Sequence, residues 1–101
     1  MASRLELQNL LEKLIGNENV YFNPPDKLSM MYPAINYSIY TVKSLHSDNG
    51  LHRATTCYSL TVIDRLPNVD TVNKLLKLPM CSYDRNYVSD GLHHDTLLLY
   101  Y

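Results

Sequence analysis

Three consecutive residues near the C-terminus, His93, His94 and Asp95, are the only local cluster of side chains in the sequence that could together bind a metal ion. The sequence around them predicts a β-strand, on which successive side chains point to opposite faces. His93 and Asp95 then share one face and His94 lies on the other, so the three cannot converge on one ion without ligands from elsewhere. We therefore predict no metal site and no cofactor.

Other residues that could do chemistry also lack the surroundings that catalysis needs. Neither Cys57 nor Cys81 lies in a context that would lower its thiol pKa, such as a helix N-terminus, and two reduced core thiols in a cytosolic compartment are the simpler expectation. The glycines Gly16, Gly50 and Gly91 each fit a helix cap or a turn, so no glycine-rich phosphate loop exists. The sequence predicts a protein that is not an enzyme, with a small cysteine- or metal-dependent enzyme as a distant alternative.

The His93 cluster belongs to a predicted C-terminal hairpin with strands over residues 82–89 and 92–101. Between them, Asp90-Gly91 is a strong signal for a two-residue turn, because such turns need positive φ at both positions. A turn of that length would place His94 beside Tyr87 on the neighbouring strand.

The last residues of this hairpin are apolar on both faces. Leu97, Leu99 and Tyr101 fall on one face of the strand, while Leu98 and Tyr100 fall on the other. Either the strand is central in the sheet and covered on both faces by its own chain, or another subunit covers part of it. Both alternatives follow from the sequence.

The rest of the chain supplies two helices and three further strands. Residues 3–15 form an amphipathic helix, with Ser3 and Glu6 as a capping box and Gly16 as the C-cap. A short strand at 20–22 is closed by the proline turn that starts at Asn23. Two long strands over 34–42 and 53–64 are joined by a long loop over residues 43–51, and a second helix over 69–76 is capped by Asn68.

This order predicts one α+β domain over residues 1–101, with a mainly antiparallel β-sheet covered by two α-helices. At 101 residues the core is thin, and a net charge of −1 with nine dispersed Lys and Arg residues does not fit a protein that wraps nucleic acid. No segment resembles a signal peptide or a membrane span, so we expect no membrane partner. Nine tyrosines suit a protein that contacts other proteins, since tyrosine combines a large apolar ring with a polar tip, but tyrosine is also a good strand former, so a sheet alone accounts for them equally.

Several blocks, in order over nearly the whole chain, resemble the small tail terminator proteins of long-tailed bacteriophages, also described as minor tail or tail completion proteins. The blocks are Asn19-Val20-Tyr21-Phe22-Asn23-Pro24-Pro25, Tyr32-Pro33-Ala34-Ile35-Asn36-Tyr37, Tyr58-Ser59-Leu60-Thr61-Val62-Ile63-Asp64, Tyr83-Asp84-Arg85, Asp90-Gly91-Leu92-His93-His94-Asp95 and the Leu-Tyr-Tyr ending. None of them is a catalytic motif. The resemblance rests on their order and on the length of the chain.

The resemblance implies a structural virion protein that forms a ring, usually a hexamer, at the head-proximal end of the tail tube, in the neck region. Such a ring stops tube polymerisation and offers a docking surface to the head connector, and DNA passes through its lumen without sequence-specific binding. Its partners would be further copies of itself, the tail tube protein and the head-tail connector or stopper, and it would assemble in the host cytoplasm. A head-tail connector or stopper protein is the nearest alternative for the chain itself.

Under this resemblance, three segments are candidates for contacts with ring neighbours or the tube: the proline turn, the loop over residues 40–51 and the C-terminal strand. For the first two segments the alternative is an ordinary solvated loop without a binding partner. The candidate interface residues are Asn23, Pro24, Pro25, Tyr40, Lys43, His46, Asp48, Leu98, Tyr100 and Tyr101.

Overall fold

A computed structural model describes residues 4–24, 30–47 and 50–101 of the chain. The elements in chain order are α1 (Arg4–Ile15), β1 (Val20–Phe22), β2 (Ala34–Ser47), β3 (Gly50–Asp64), α2 (Val69–Leu76), β4 (Cys81–Ser89) and β5 (Leu92–Tyr100). The strands form one sheet in the order β1-β2-β3-β5-β4. β1 pairs with β2 in parallel, and the other three strand pairings are antiparallel, which confirms the predicted α+β fold with a mainly antiparallel sheet.

Helix α1 packs its leucine stripe onto the sheet, where Leu7 and Leu11 are fully buried. It ends at Gly16, whose φ of +83° suits glycine and whose N–H donates to the carbonyl of Glu12 at 2.9 Å, so the predicted C-cap is confirmed. Ser3, the predicted N-cap, lies outside the described residues. The side chain of Gln8 joins the helix to the sheet by donating from Nε2 to the carbonyl of Val20 at 2.9 Å.

Helix α2 begins where Asn68 caps it, as predicted. Asn68 Oδ1 accepts from the N–H of Thr71 at 3.1 Å, and its Nδ2 donates to Asp64 Oδ2 at 3.1 Å. The cap therefore satisfies an N–H of the first turn and ties the helix to the end of β3. Val72 and Leu75 bury the apolar face of α2 against the sheet.

Both helices lie on one face of the sheet, and the hydrophobic core lies between the helices and that face. On the strands, the residues of the main core cluster occupy alternate positions that the pairing places side by side: Ile35 and Tyr37 on β2, Tyr58, Leu60 and Val62 on β3, and Leu97 and Leu99 on β5. Ala34, Cys57 and Ile63 are also buried, at intervening positions that face the other side of the sheet. No described helix covers the opposite face, which we call the second face. A core of one layer between two helices and one sheet face is thin, as the chain length predicts.

The prediction of a long loop over residues 43–51 is wrong, because β2 continues to Ser47 and β3 begins at Gly50. The pairing of β2 with β3 runs from Ala34 opposite Ile63 to Ser47 opposite Gly50. β1 pairs only with residues 35–37 and β5 reaches only Cys57, so the far ends of β2 and β3 have no other strand beside them among the described elements. A ribbon of two strands has no sheet face to bury, so the alternation of apolar and polar residues that identifies a strand in sequence is lost there.

The C-terminal hairpin has the predicted turn, with φ of +53° at Asp90 and +73° at Gly91. Its second strand, β5, lies between β3 and β4 and is therefore central in the sheet. The chain covers one face of β5 fully and the other only in part, so the alternative in which a second subunit covers that face stays open. Leu97 and Leu99 are buried under the helices, whereas Leu98 and Tyr100 are half-buried on the second face.

Candidate assembly surfaces

The His93-His94-Asp95 cluster is divided between the two faces of β5, as predicted. Asp95 accepts a hydrogen bond from the hydroxyl of Tyr83 at 2.7 Å, while His94 stacks on Tyr87 with ring centroids 4.6 Å apart and an interplanar angle of 10°. The predicted neighbour of His94 is therefore confirmed. Within residues 4–24, 30–47 and 50–101, no three His, Cys, Asp or Glu side chains are grouped closely enough to hold a metal ion.

The titratable groups of the hairpin show two shifts with clear causes. The hydrogen bond to Asp95, together with the charge of that carboxylate, raises the pKa of Tyr83, because both favour the neutral phenol. Burial raises the pKa of the Cys81 thiol. Cys57 is buried, and neither cysteine forms a disulfide. In the backbone pairing of the strands, Cys57 lies opposite Tyr100 and Cys81 lies opposite Leu99, which places the two cysteines on opposite faces of the sheet.

The first candidate interface segment, the proline turn, begins at Asn23, which is exposed and has a positive φ of +46°. Its N–H donates to the carbonyl of Tyr37 at 3.0 Å, which ends the pairing of β1 with β2. Pro24 is half-buried, and Pro25 lies outside the described residues.

A shallow polar pocket of about 240 Å³ lies beside this turn, lined by Asn23, Pro24, Asn36, Tyr37, Ser38, Ser59 and Thr61. The Oδ1 atom of Asn36 is buried there without a hydrogen-bond partner. A buried acceptor of this kind is uncommon in a folded protein, because it forgoes its bonds to water. The pocket adds a polar patch to the second face.

The second candidate segment lies on the two-stranded ribbon rather than in a loop. Tyr40 is the extra residue of a β-bulge, between Ile39 opposite Tyr58 and Thr41 opposite Cys57, and its side chain is 66% exposed. The backbone of Lys43 pairs with that of Thr55, and the backbone of His46 pairs with that of Leu51. Asp48 lies outside the described residues.

The third candidate segment divides between the core and the second face. Leu98 lies between Ser59 on β3 and Ser82 on β4, and Tyr100 lies opposite Cys57. Tyr101 instead packs against the hydrophobic core, and its N–H donates to the carbonyl of Thr56 at 3.0 Å. Leu98 and Tyr100 therefore remain candidates for subunit packing, while Tyr101 already contributes to the fold of its own chain.

The sequence does not reveal the two edges of the sheet that have no neighbouring strand among the described residues. These edges are the outer side of β4, and the outer side of β2 beyond the end of β1. β4 is the last strand of the sheet, every residue of it after Cys81 is exposed, and a second bulge interrupts it between Tyr83 and Arg85. Exposed edge strands carry unpaired backbone groups that can pair with another chain, and bulges and charges limit such pairing. The signal for an edge is the order of the strands, which the sequence does not reveal.

The chain matches no model of a protein family, and a search of curated proteins also finds no match. Neither of the two described helices is long and apolar enough to span a membrane.

Proposed function

We propose that this protein is a structural virion subunit that assembles with copies of itself into a ring at the head-proximal end of a phage tail tube. The ring stops polymerisation of the tube and provides the surface to which the head connector docks. The mechanism is surface complementarity: one side of the ring matches the last ring of the tube, while the other side does not accept a further tube subunit. DNA passes through the lumen without sequence-specific contacts.

The observation that carries this proposal is the projecting ribbon of β2 and β3. The molecule measures 51 Å along its longest axis but only 25 and 23 Å along the others. An isolated two-stranded ribbon is at best marginally stable in water, because it has no third strand or helix to pack against. An arm of this kind gains stability when it lies against a neighbouring subunit, so it suits a protein that functions only in an assembly.

The second face of the sheet supports the same conclusion. Leu98 and Tyr100 are half-buried on it; Ser59 and Ser82 lie opposite Leu98, and Cys57 lies opposite Tyr100. Such a mixture of apolar and polar side chains resembles the composition of subunit interfaces. The ordered sequence blocks described above supply the specific link to tail termination.

Electron microscopy of a lysate from a phage that lacks this gene tests the proposal. We expect tails that are overlong or ragged and that are separated from filled heads, because nothing ends the tube. Tails of normal length beside unattached or leaking heads would instead assign the protein to the head-tail connector or stopper.

A pair of variants on the second face tests the assembly itself. Replacing Leu98 or Tyr100 by aspartate should abolish assembly in a complementation experiment, since a buried unpaired carboxylate is unfavourable in an interface. Leu66→Asp is the control, because Leu66 is 72% exposed and lies in the connection between β3 and α2. Circular dichroism separates the two explanations: loss of the fold in the Leu98 and Tyr100 variants would show that these residues belong to the core.

A further inference from the structure

We propose that neighbouring copies join edge to edge, with β4 of one copy pairing antiparallel to the free outer edge of β2 in the next copy. The partner is a second copy of this chain, and the five-stranded sheet then continues from subunit to subunit. This inference rests on the proposed assembly into a ring, and it names the surfaces that make the ring.

The free edge of β2 begins where β1 ends. The N–H of Ile35 donates to Asn19 and the carbonyl of Tyr37 accepts from Asn23, so the backbone groups of these two β2 residues point toward β1. Alternation along the strand points the backbone groups of Ile39 to the same side, beyond the last residue of β1. From residue 39 to residue 47, nine residues of β2 have no described strand on that side.

The free edge of β4 matches this segment in length. β4 has nine residues, Cys81–Ser89, and its outer side has no strand in the described sheet. Ser89 and Leu92 flank a two-residue turn and so form a hydrogen-bonded pair, and alternation then points the backbone groups of Val88 and Asn86 away from β5. These outward groups are available to a strand from another molecule.

The strand directions also fit. β2 is antiparallel to β3, β3 to β5, and β5 to β4, so β4 runs opposite to β2 within one molecule. When neighbours are related by a rotation that keeps the same sheet face toward the axis, the β4 edge of one copy meets the β2 edge of the next with the two strands antiparallel. Antiparallel is the slightly more stable of the two pairing modes.

The axial offset between the two edges sets the tilt of the strands in a closed ring. Within one copy, Cys81 lies level with Ile39, through the pairs Cys81 with Leu99, Leu99 with Tyr58, and Tyr58 with Ile39. Pairing of β4 along residues 39–47 of the next copy brings Cys81 level with Ser47, a shift of about eight residues or roughly 26 Å at 3.3 Å per residue. The repeat from β2 of one copy to β2 of the next passes through β3, β5 and β4, so four spacings of about 4.8 Å span roughly 19 Å. The strands would then tilt by about 54° from the ring axis, steeper than the roughly 35–45° typical of closed barrels.

The pairing is tested by proline substitution at matched positions. Val88→Pro removes an N–H that points away from β5, and Val69→Pro is the control, because Val69 is the first residue of α2, where proline is tolerated. The two valines are 63% and 61% exposed. Native mass spectrometry of the purified full chain measures assembly, and hydrogen–deuterium exchange measures the protection of β4 amides.

We expect the wild type and Val69→Pro to form the same closed oligomer with protected β4 amides. Val88→Pro should weaken each junction about tenfold, the effect of one lost hydrogen bond, which compounds around a ring. Val88→Lys serves as a second variant if circular dichroism shows that the proline variant is unfolded. Lysine on an exposed edge strand disfavours pairing of that strand with another chain.

The outcomes distinguish this inference from the proposed function. A ring that forms equally well from Val88→Pro or Val88→Lys, with β4 amides exchanging freely, would overturn the edge pairing and leave the ring intact. A dimer joined through two β4 edges would also overturn it, because a two-fold contact leaves β2 unpaired. A wild-type chain that is monomeric at every concentration would contradict both proposals.

Discussion

Leu97 and Leu98 are adjacent in sequence but lie on opposite faces of β5, and their truncation should have very different effects on stability. Leu97 is fully buried under the helices, whereas Leu98 is half-buried on the second face. The change from leucine to alanine removes the same atoms at both positions. The pair therefore compares the two sheet faces with the chemistry held constant.

The expected magnitudes follow from this difference in burial. Truncation of a fully buried leucine costs about 2–5 kcal/mol, because the loss of apolar transfer energy adds to the energy of the cavity. Leu98 is only partly buried, and solvent can fill the space that truncation leaves, so the cost is about 1 kcal/mol. In a domain of this size each kcal/mol lowers the Tm by roughly 4–8 °C, so Leu97→Ala should melt roughly 8–40 °C below the wild type and Leu98→Ala less than about 10 °C below it.

The assay is urea unfolding followed by circular dichroism, at protein concentrations low enough that association does not stabilise the folded state. Leu97→Ala should shift the midpoint strongly, and Leu98→Ala should shift it little. Equal destabilisation by the two variants would refute the assignment of a covered face and a second face to the sheet.

Three further predictions concern single contacts. Tyr37→Phe should cost about 1 kcal/mol in urea unfolding, since the buried Tyr37 hydroxyl donates to Gln8 Oε1; an unchanged midpoint would contradict the role of this bond. Asn68→Ala should cost about 0.5–2 kcal/mol by the same assay, because the first turn of α2 loses its cap, and Asn68→Ser, which keeps an acceptor for the N–H of Thr71, should restore most of the loss. The raised pKa of Tyr83 means that its hydrogen bond to Asp95 supports the fold below the ordinary tyrosine pKa and is lost as the pH rises through the raised value; in ultraviolet titration, Asp95→Ala should therefore lower the pKa of one tyrosine, and an unaltered titration would contradict the coupling.

Much of the fold is encoded locally and could be predicted. The cap at Asn68, the glycine at the end of α1 and the Asp90-Gly91 turn each depend on residues within one turn of chain, and all three are confirmed. The alternation of residues 35–39 and 58–62 reflects burial of one sheet face, so it identifies the strands that lie under the helices.

The rest depends on contacts that are distant in sequence. The ends of β2 and β3 are strands because the backbone of each pairs with that of the other. The parallel pairing of β1 with β2 and the place of β4 at the sheet edge follow from the order of the strands in space. For that reason the sequence predicts a loop where the ribbon lies, and it does not reveal the edges of the sheet.

In the proposed function this protein occupies the junction of head and tail in a virion. Electron microscopy of intact phage particles labelled with a gold-conjugated antibody against this chain tests the claim most directly. We predict label at the head-proximal end of the tail, at the neck. Label at the distal tip or along the whole tube, or particles that remain unlabelled although the antibody binds the purified protein, would contradict it.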